Sequence, residues 1–299
     1  MSKHIAFRLD QIESRPLEWV WFPYLVRGKL TLLEGAIGVG KSSVVFDLVA
    51  KFSRGELTGG KVARTLLLSA DHHPADTILP RLKDAGADLG CVAVMGGLGQ
   101  PSIRLSDCED LDEIASLIQT HKIDVVVIDP LTAFVGKGVN LRDETALREA
   151  MRPVLELAEK HRVAVLVVVP ERRGRVVGDC GVFSVALELK ATDAGVELAV
   201  RRSSLGPKPK PMVARLWGVG KVVWTVQPEA VGSLESAKLW LEGFLGGKTI
   251  SMREVLAAGG VAGHSTRTLE RAKSELGYRS KANTMDGRRE SLWIGEPAA

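Results

Sequence analysis

The sequence predicts an α/β chain: a mainly parallel sheet with helices on both faces, an antiparallel extension of that sheet, and a small C-terminal unit of helices and a hairpin. Three observations predict it. Predominantly apolar runs (Lys29–Glu34, Arg64–Ser69, Asp124–Asp129, Val163–Val169) alternate with stretches of helical period. Strands buried on both faces read as continuous apolar runs and need crossover helices between them. Beyond Gly178 come shorter strand patterns with turn-rich joints, Val182–Lys190, Val196–Arg202, Met212–Trp217 and Lys221–Val226, which suit an antiparallel extension. Past Gln227–Ser233 the pattern turns helical again.

In order, Lys29–Glu34 leads through a Gly-rich turn into a helix over Ser43–Phe52, and Arg64–Ser69 is the second strand. Asp76–Ala85 reads as a helix whose start Pro80 delays. Cys91–Met95 is a short strand. Cys108–His121 places Leu111, Ile114, Ala115, Leu117 and Ile118 at helical spacing. Asp124–Asp129 is a strand, Leu141–Arg162 a long helix and Val163–Val169 another buried strand. After the boundary, helices are predicted over Leu234–Leu245, Ser251–Ala258 and Ser265–Leu276, the last with Ser265 as N-cap and Gly277 just past its end. Tyr278–Ile294 reads as a hairpin turning at Asp286-Gly287. Three helices and a hairpin make a winged helix-turn-helix with the third helix in the recognition position. The expected division is residues 1–228, with a short N-terminal extension, and residues 233–299. Trp217, Trp224 and Trp240 are expected in cores.

Composition narrows the class. The chain has 299 residues, 45% hydrophobic and 25% charged, ordinary globular values that exclude a largely disordered or collagen-like chain. The longest apolar runs fall short of the roughly 20 residues of a membrane span, so no membrane association is expected. The N-terminus carries charges throughout and no apolar core of a secretory signal. Cys91, Cys108 and Cys180 form neither a metal spacing nor an even disulfide set, which points to a reducing cytoplasm. The net charge is +4. Leu198–Pro228 holds six basic residues and no acid, and His264–Arg289 holds seven basic residues against Glu270, Glu275 and Asp286. On charge alone each stretch suits either a phosphate backbone or a solvated face.

Gly35-Ala36-Ile37-Gly38-Val39-Gly40-Lys41-Ser42 matches G-x-x-x-x-G-K-[ST] in full, after a strand and before a helix. Glycines let backbone N–H groups turn inward around a phosphate without a Cβ clash. The helix start adds its positive dipole end. Lys41 is placed to reach β- and γ-oxygens, the Ser42 hydroxyl to coordinate Mg²⁺, and Ser43 completes the cradle. Asp129, ending the apolar strand Asp124–Asp129, is the candidate second acid of the Mg²⁺ shell. Asp71 ends the strand next to the loop's strand, where a carboxylate can polarise water. Asp71-His72-His73 also marks metal-dependent phosphoesterases, but that chemistry needs further aspartates upstream, and Asp10 and Asp47 do not form a strand-end cluster.

These segments, LEWVWFPYLVRGKLTLLEGAIGVGKSS, LLLSADHHPADTILPRLKDAGADLG and DVVVIDPLTAF, resemble the RecA-like P-loop ATPases of the RepA group, relatives of hexameric replicative helicases on plasmids, phages and mobile elements. The likeness runs from about Glu13 to Gly206, and the tail is similar to the C-terminal helix-turn-helix of many such chains. The resemblance implies a RecA-like core that binds ATP–Mg²⁺ between the subunits of a homo-oligomeric ring, its size left open with a hexamer among the candidates, and couples hydrolysis to action on DNA in replication, recombination or mobile-element maintenance. It implies Lys41, Asp71 and Asp129 as catalytic, Gly35 to Ser43 as the nucleotide cradle, and Ser42 and Asp129 at the metal. It also implies Arg172, Arg173 and Arg175 at the ring's inner face on DNA phosphates, and Arg201 or Arg202 acting across to a neighbour's nucleotide. In the C-terminal unit, Arg267, Arg271 and Lys273 on or near one side of the third helix are the DNA-contact candidates, with protein docking or a structural role as the alternative.

Four departures from the family pattern stand out. Glu-Asp at the end of the second strand is Asp71-His72 here, one methylene shorter at the acid. A γ-phosphate-sensing His is Pro170-Glu171, a Gly-Ser pair is Gly178-Asp179, and an Arg is Leu187. The binding groove is intact while parts that sense or speed hydrolysis are altered. The alternative function is therefore an ATP-responsive DNA-binding regulator with weak or no hydrolysis.

Overall fold

The computed structural model describes residues 8, 10, 15–96, 103–136, 138–171, 180–206, 208–217, 221–226, 234–285 and 288–297. A two-stranded hairpin, β1 (Trp19–Trp21) and β2 (Leu25–Val26), precedes the strands that the apolar runs predicted. Then follow β3 (Leu30–Ala36), α1 (Lys41–Ser53), β4 (Thr65–Ser69), α2 (Leu79–Asp84), β5 (Val92–Met95), α3 (Cys108–His121), β6 (Val125–Asp129), α4 (Glu144–His161) and β7 (Ala164–Glu171). Next come β8 (Val185–Thr192), β9 (Gly195–Ser203), β10 (Met212–Trp217) and β11 (Lys221–Val226).

These strands form one nine-stranded sheet in the order β11-β10-β9-β8-β3-β7-β6-β4-β5. Each face is apolar because alternate side chains of a strand point to opposite sides. Leu33 joins the cluster with Val44, Val45, Leu48 and Phe52 of α1, whereas Leu30 and Leu32 join the cluster with Ile114 and Ile118 of α3 and Leu147, Met151 and Val154 of α4. Both faces are thus covered, as an almost wholly apolar strand requires. The carboxyl ends of β3, β7, β6 and β4 consequently meet along one rim.

Three boundaries differ from expectation for physical reasons. The predicted antiparallel extension begins one strand late: β8 runs parallel to β3, with Thr31 opposite Val185 and Gly35 opposite Leu189, and the first antiparallel pair is β8–β9. Strand composition reports burial, not direction, so the sequence pattern could not separate the two. The helix expected from Asp76 opens as a π-helical turn over Pro74–Ile78, because Pro80 lacks the N–H that a regular first turn would use, and α2 proper begins at Leu79. The helix expected from Leu141 starts at Glu144, where the Asp143 carboxylate accepts from Ala146 N–H at 2.9 Å and caps it.

The antiparallel strands curl over α1. Val196, Leu198, Val200, Met212, Ala214 and Trp224 share one core with Val44, Val45 and Leu48. Trp224 Nε1 donates to Asp47 Oδ2 at 2.6 Å inside that core, which ties β11 to the helix following β3. Trp224 and Trp240 are buried as expected.

The C-terminal segment holds α5 (Leu234–Leu245), β12 (Thr249–Ser251), α6 (Met252–Val261), α7 (Thr266–Glu275), β13 (Tyr278–Met285) and β14 (Arg288–Pro297). The expected hairpin is β13–β14; the unpredicted β12 joins it in a three-stranded sheet ordered β12-β14-β13. Ser265 caps α7 through Thr268 N–H at 3.1 Å, and Gly277 takes the left-handed conformation (φ 69°) past its end, both as predicted. Asp286-Gly287 lies outside the described residues, as do Gln227–Ser233. This segment has its own core of Trp240, Leu241, Leu245, Val255, Leu269 and Trp293, into which Phe22 from the β1–β2 turn inserts.

His264 is 3% exposed there, its ring 5.8 Å from Phe22 and 5.7 Å from Trp240, and neither ring nitrogen has a partner among the described residues. Burial lowers its pKa from 6.5 to about 4. The unfolded chain therefore takes up the proton first: stability is full above pH 6.5 and falls as the pH drops toward 4, by on the order of 3 kcal/mol from this group. Urea unfolding followed by tryptophan fluorescence is expected to show that loss between pH 7 and 4.5 in the wild type and a clearly smaller loss in His264→Leu.

Candidate nucleotide site

The turn from β3 into α1 is built by glycines. A Cβ on Gly35 would stand 2.5 Å from the Leu189 carbonyl oxygen of β8, so the strand can approach the turn this closely only without a side chain. Gly40 takes φ 101°, and a Cβ there would collide with Leu216 at the end of β10. Gly40 is also the N-cap of α1 and supplies no side-chain cap, and the first turn carries no acid. The N–H groups at the helix start thus face outward with the positive end of the dipole, the arrangement that receives an anion. Ala36, Ile37 and Gly38 are exposed, Val39, Gly40, Ser42 and Ser43 half-buried, and Lys41 only 9% exposed.

The Lys41 ammonium folds back on its own loop, donating to the carbonyls of Gly35 and Ala36 at 2.8 Å each. Burial lowers its pKa, while the negative charges of Asp129 and Glu171 act to raise it. Asp129 ends β6 at 7% exposure. Burial raises its pKa, opposed first by the Ser42 hydroxyl hydrogen bond and then by the charges of His72 and Lys41. Ser42, Lys41 and Asp129 therefore converge.

The register explains why. Ser69 of β4 lies opposite Asp129 of β6, so Asp71, two residues on, leaves the sheet beside Asp129, exposed, with its charge reaching it. Contrary to expectation, the strand before Asp71 is not next to the P-loop strand, because β7 and β6 stand between β3 and β4. The His72 ring stands 6.2 Å from that of Phe46, one helical turn beyond Ser42 on α1. His73 is taken up elsewhere: its Nδ1 accepts from Ala75 N–H at 3.3 Å and lies 3.6 Å from Asp76. Among the described residues no three His, Cys, Asp or Glu side chains form a metal cluster.

The remaining expected residues are more scattered. Arg201 pairs with the buried Glu34 of β3 at 3.8 Å, and Arg202 donates to the carbonyls of Cys180 at 3.0 Å and Phe183 at 2.6 Å, so both guanidinium groups are engaged within their own chain. Arg172, Arg173 and Arg175 lie outside the described residues, as do Gly178-Asp179. On α7, Arg267 and Arg271 are exposed one turn apart, Arg271 at 3.6 Å from Glu275. Lys273 turns instead to the small sheet, where it bonds Ser280 Oγ and stacks 5.2 Å above the Trp293 ring.

Two residues at the rim were not singled out from the sequence as site residues. Glu171 was noted there only as a departure from the family pattern; β7 pairs with β3 so that it lies opposite Ala36 of the loop. An acid closing an otherwise apolar strand was the signal available. Leu216 carried no local signal, since its contact with Gly40 depends on the curl of β9–β11 over α1.

The desolvated Asp129 carboxylate predicts a conflict between function and stability. Asp129→Asn is expected to stabilise the nucleotide-free protein by about 1 kcal/mol in thermal unfolding, while removing any magnesium dependence of nucleotide binding measured by calorimetry.

The AAA domain family matches residues 2–175, a span that contains the loop, β4, β6 and β7. No curated protein matches the chain. With more than half the chain covered, and with the loop, its lysine and the strand-end aspartate converging as described, the chain belongs to the AAA-domain family of P-loop ATPases.

Proposed function

We propose that this chain is a RecA-like ATPase of the RepA type, which couples ATP binding and hydrolysis to DNA binding or remodelling in replication, recombination or mobile-element maintenance. The observation that carries the reading is the convergence of Lys41, Ser42 and Asp129 at the carboxyl rim of a sheet whose strand order places β7 between the P-loop strand and the Asp129 strand. Ser42 and Asp129 are hard oxygen donors already in contact, which suits Mg²⁺, and the uncapped start of α1 suits the phosphates of ATP. Bound there, the ion supplies charge neutralisation at the terminal phosphates. Asp71 is the residue offered for orienting water.

In this reading residues 1–228 are the ATPase and residues 233–299 a winged helix-turn-helix, with α7 as the DNA-facing helix and β13–β14 as the wing. The exposure of Arg267 and Arg271 supports it, and the turning-in of Lys273 narrows the face to those two. Self-association into a ring, with Arg201 or Arg202 reaching a neighbour's nucleotide, requires either arginine to leave the partners it has in its own chain. A cytoplasmic location is part of this reading; among the described residues no helix is long and apolar enough to cross a membrane. The shortened acid at Asp71 favours the second reading, a regulator that binds ATP and hydrolyses it weakly or not at all.

Phosphate release is expected to be stimulated by single-stranded DNA, to fall at least about a hundredfold in Lys41→Ala, and to rise in Asp71→Glu. Zero rates for wild type and Asp71→Glu, with and without DNA, alongside intact ATP binding, would select the regulator. For the C-terminal unit, Arg267→Ala is expected to weaken DNA binding at every sequence and to flatten the salt dependence of log K by about one unit; an unchanged slope would assign α7 to protein docking.

A further inference from the structure

Three parallel strands begin side by side at the end of the sheet opposite the P-loop rim. Arg64 precedes β4, Cys91 precedes β5, and Ile123 lies two residues before β6. Between the edge strand β5 and the carboxyl end of α3 lies an open cleft of about 560 Å³, a volume within the range of small-molecule sites. Its lining is of two kinds. Val92, Ala93 and Ile123 supply apolar surface, while Arg64, His121 and Lys122 stand exposed at it. Among the described residues no acid lines the cleft.

The positive charge of this cleft is not balanced from within the chain. Among the described residues Arg64, His121 and Lys122 have no ion-pair partner. The Arg64 side chain meets the Cys91 thiol, which burial and then Asp88 hold above the usual thiol range and so uncharged. The two acids nearby are engaged elsewhere. Asp124 holds Arg27 at 2.5 Å and accepts from the Arg64 backbone N–H at 2.9 Å. Asp88 caps the turn before β5, accepting from Gly90 N–H at 3.0 Å and from the Cys91 thiol at 3.4 Å. The carboxyl end of a helix repels anions, but here its carbonyls are closed: Ile118 accepts from Ile123 N–H at 3.0 Å and Gln119 from Lys122 N–H at 3.4 Å. A concave surface with uncompensated cations concentrates anions. Two permanent cations and an imidazole beside apolar surface match a doubly charged head on a small apolar body better than a single carboxylate. We propose that this cleft binds a small organic phosphomonoester, with Arg64 and Lys122 on the phosphate oxygens and His121 as a further donor. The site lies apart from the P-loop and does not depend on the ATPase reading.

The test is a ligand-observed NMR titration of phenyl phosphate into the full chain carrying Lys41→Ala, so that the P-loop ammonium does not contribute. Phenyl phosphate is expected to bind, and adding Arg64→Ala or Lys122→Asn to weaken it about tenfold each. Asparagine is used at position 122 because Lys122 sits in the left-handed conformation (φ 53°), which asparagine accepts. Benzoate, with one charge on the same ring, is expected to bind at least about fivefold more weakly than phenyl phosphate. Thermal unfolding of each variant is measured in parallel; should Arg64→Ala fail to fold, Arg64→Gln removes the same charge and carries the same expectation. Absence of phenyl phosphate binding, binding unmoved by both cleft substitutions, or benzoate binding as tightly as phenyl phosphate would each overturn the inference. A single-stranded oligonucleotide that loses affinity in the same variants while phenyl phosphate fails to bind would overturn it too, by assigning the cleft to nucleic acid. None of these outcomes bears on nucleotide binding at the P-loop, which calorimetry on the wild type reads separately.

Discussion

Two opposite charges are held nearly out of water at the rim of the sheet: the Lys41 ammonium and the Asp129 carboxylate. Burial acts against both, lowering the pKa of one and raising that of the other. What keeps the pair usable is a ring of compensating partners. The loop carbonyls of Gly35 and Ala36 take the ammonium, the Ser42 hydroxyl takes the carboxylate, and each charge lies in the other's field. An arrangement of this kind stabilises the empty protein poorly, since desolvated charges seldom recover their full hydration. It is suited to a highly charged ligand that replaces those makeshift partners.

The rest of the core can be understood as the support for that corner. The parallel order β3-β7-β6-β4 sets the loop, Glu171, Asp129 and Asp71 along one edge. Apolar packing on both faces fixes the register, because a one-residue slip would exchange the two faces of every strand. The antiparallel strands add a second constraint from the other side. Trp224 anchors β11 to Asp47 of α1, and Leu216 closes against Gly40, so the helix that carries Lys41 and Ser42 is gripped between the sheet and its own extension. The ion pair of buried Glu34 with half-buried Arg201 joins the P-loop strand to β9 across β8.

The C-terminal segment packs on this core through aromatic side chains of the N-terminal hairpin. Phe22, from the β1–β2 turn, is buried in the C-terminal cluster, and Trp19 of β1 packs against it, 5.0 Å from the Phe22 ring. His264 is caught at that contact without a hydrogen-bond partner among the described residues, so the junction is apolar and sensitive to protonation.

Sequence alone determined what depends on near neighbours in the chain. The glycine spacing of the loop, the N-cap at Ser265, the Gly277 stop and the apolar runs are short-range chemistry, and they located the strands, the helices and the phosphate cradle. Strand direction, by contrast, is not encoded in composition, and β8 proved parallel. Two contacts with the site, Leu216 at Gly40 and Glu171 opposite Ala36, join residues more than 130 positions apart, and no local pattern specifies such a meeting. The same holds for Lys273, whose spacing on α7 permitted exposure but whose long stem found the Trp293 ring. Local conformational preference fixes which elements form; only the closing of the sheet and the burial of its two faces decide which side chains share a corner, because that choice is set by the summed packing of the whole chain.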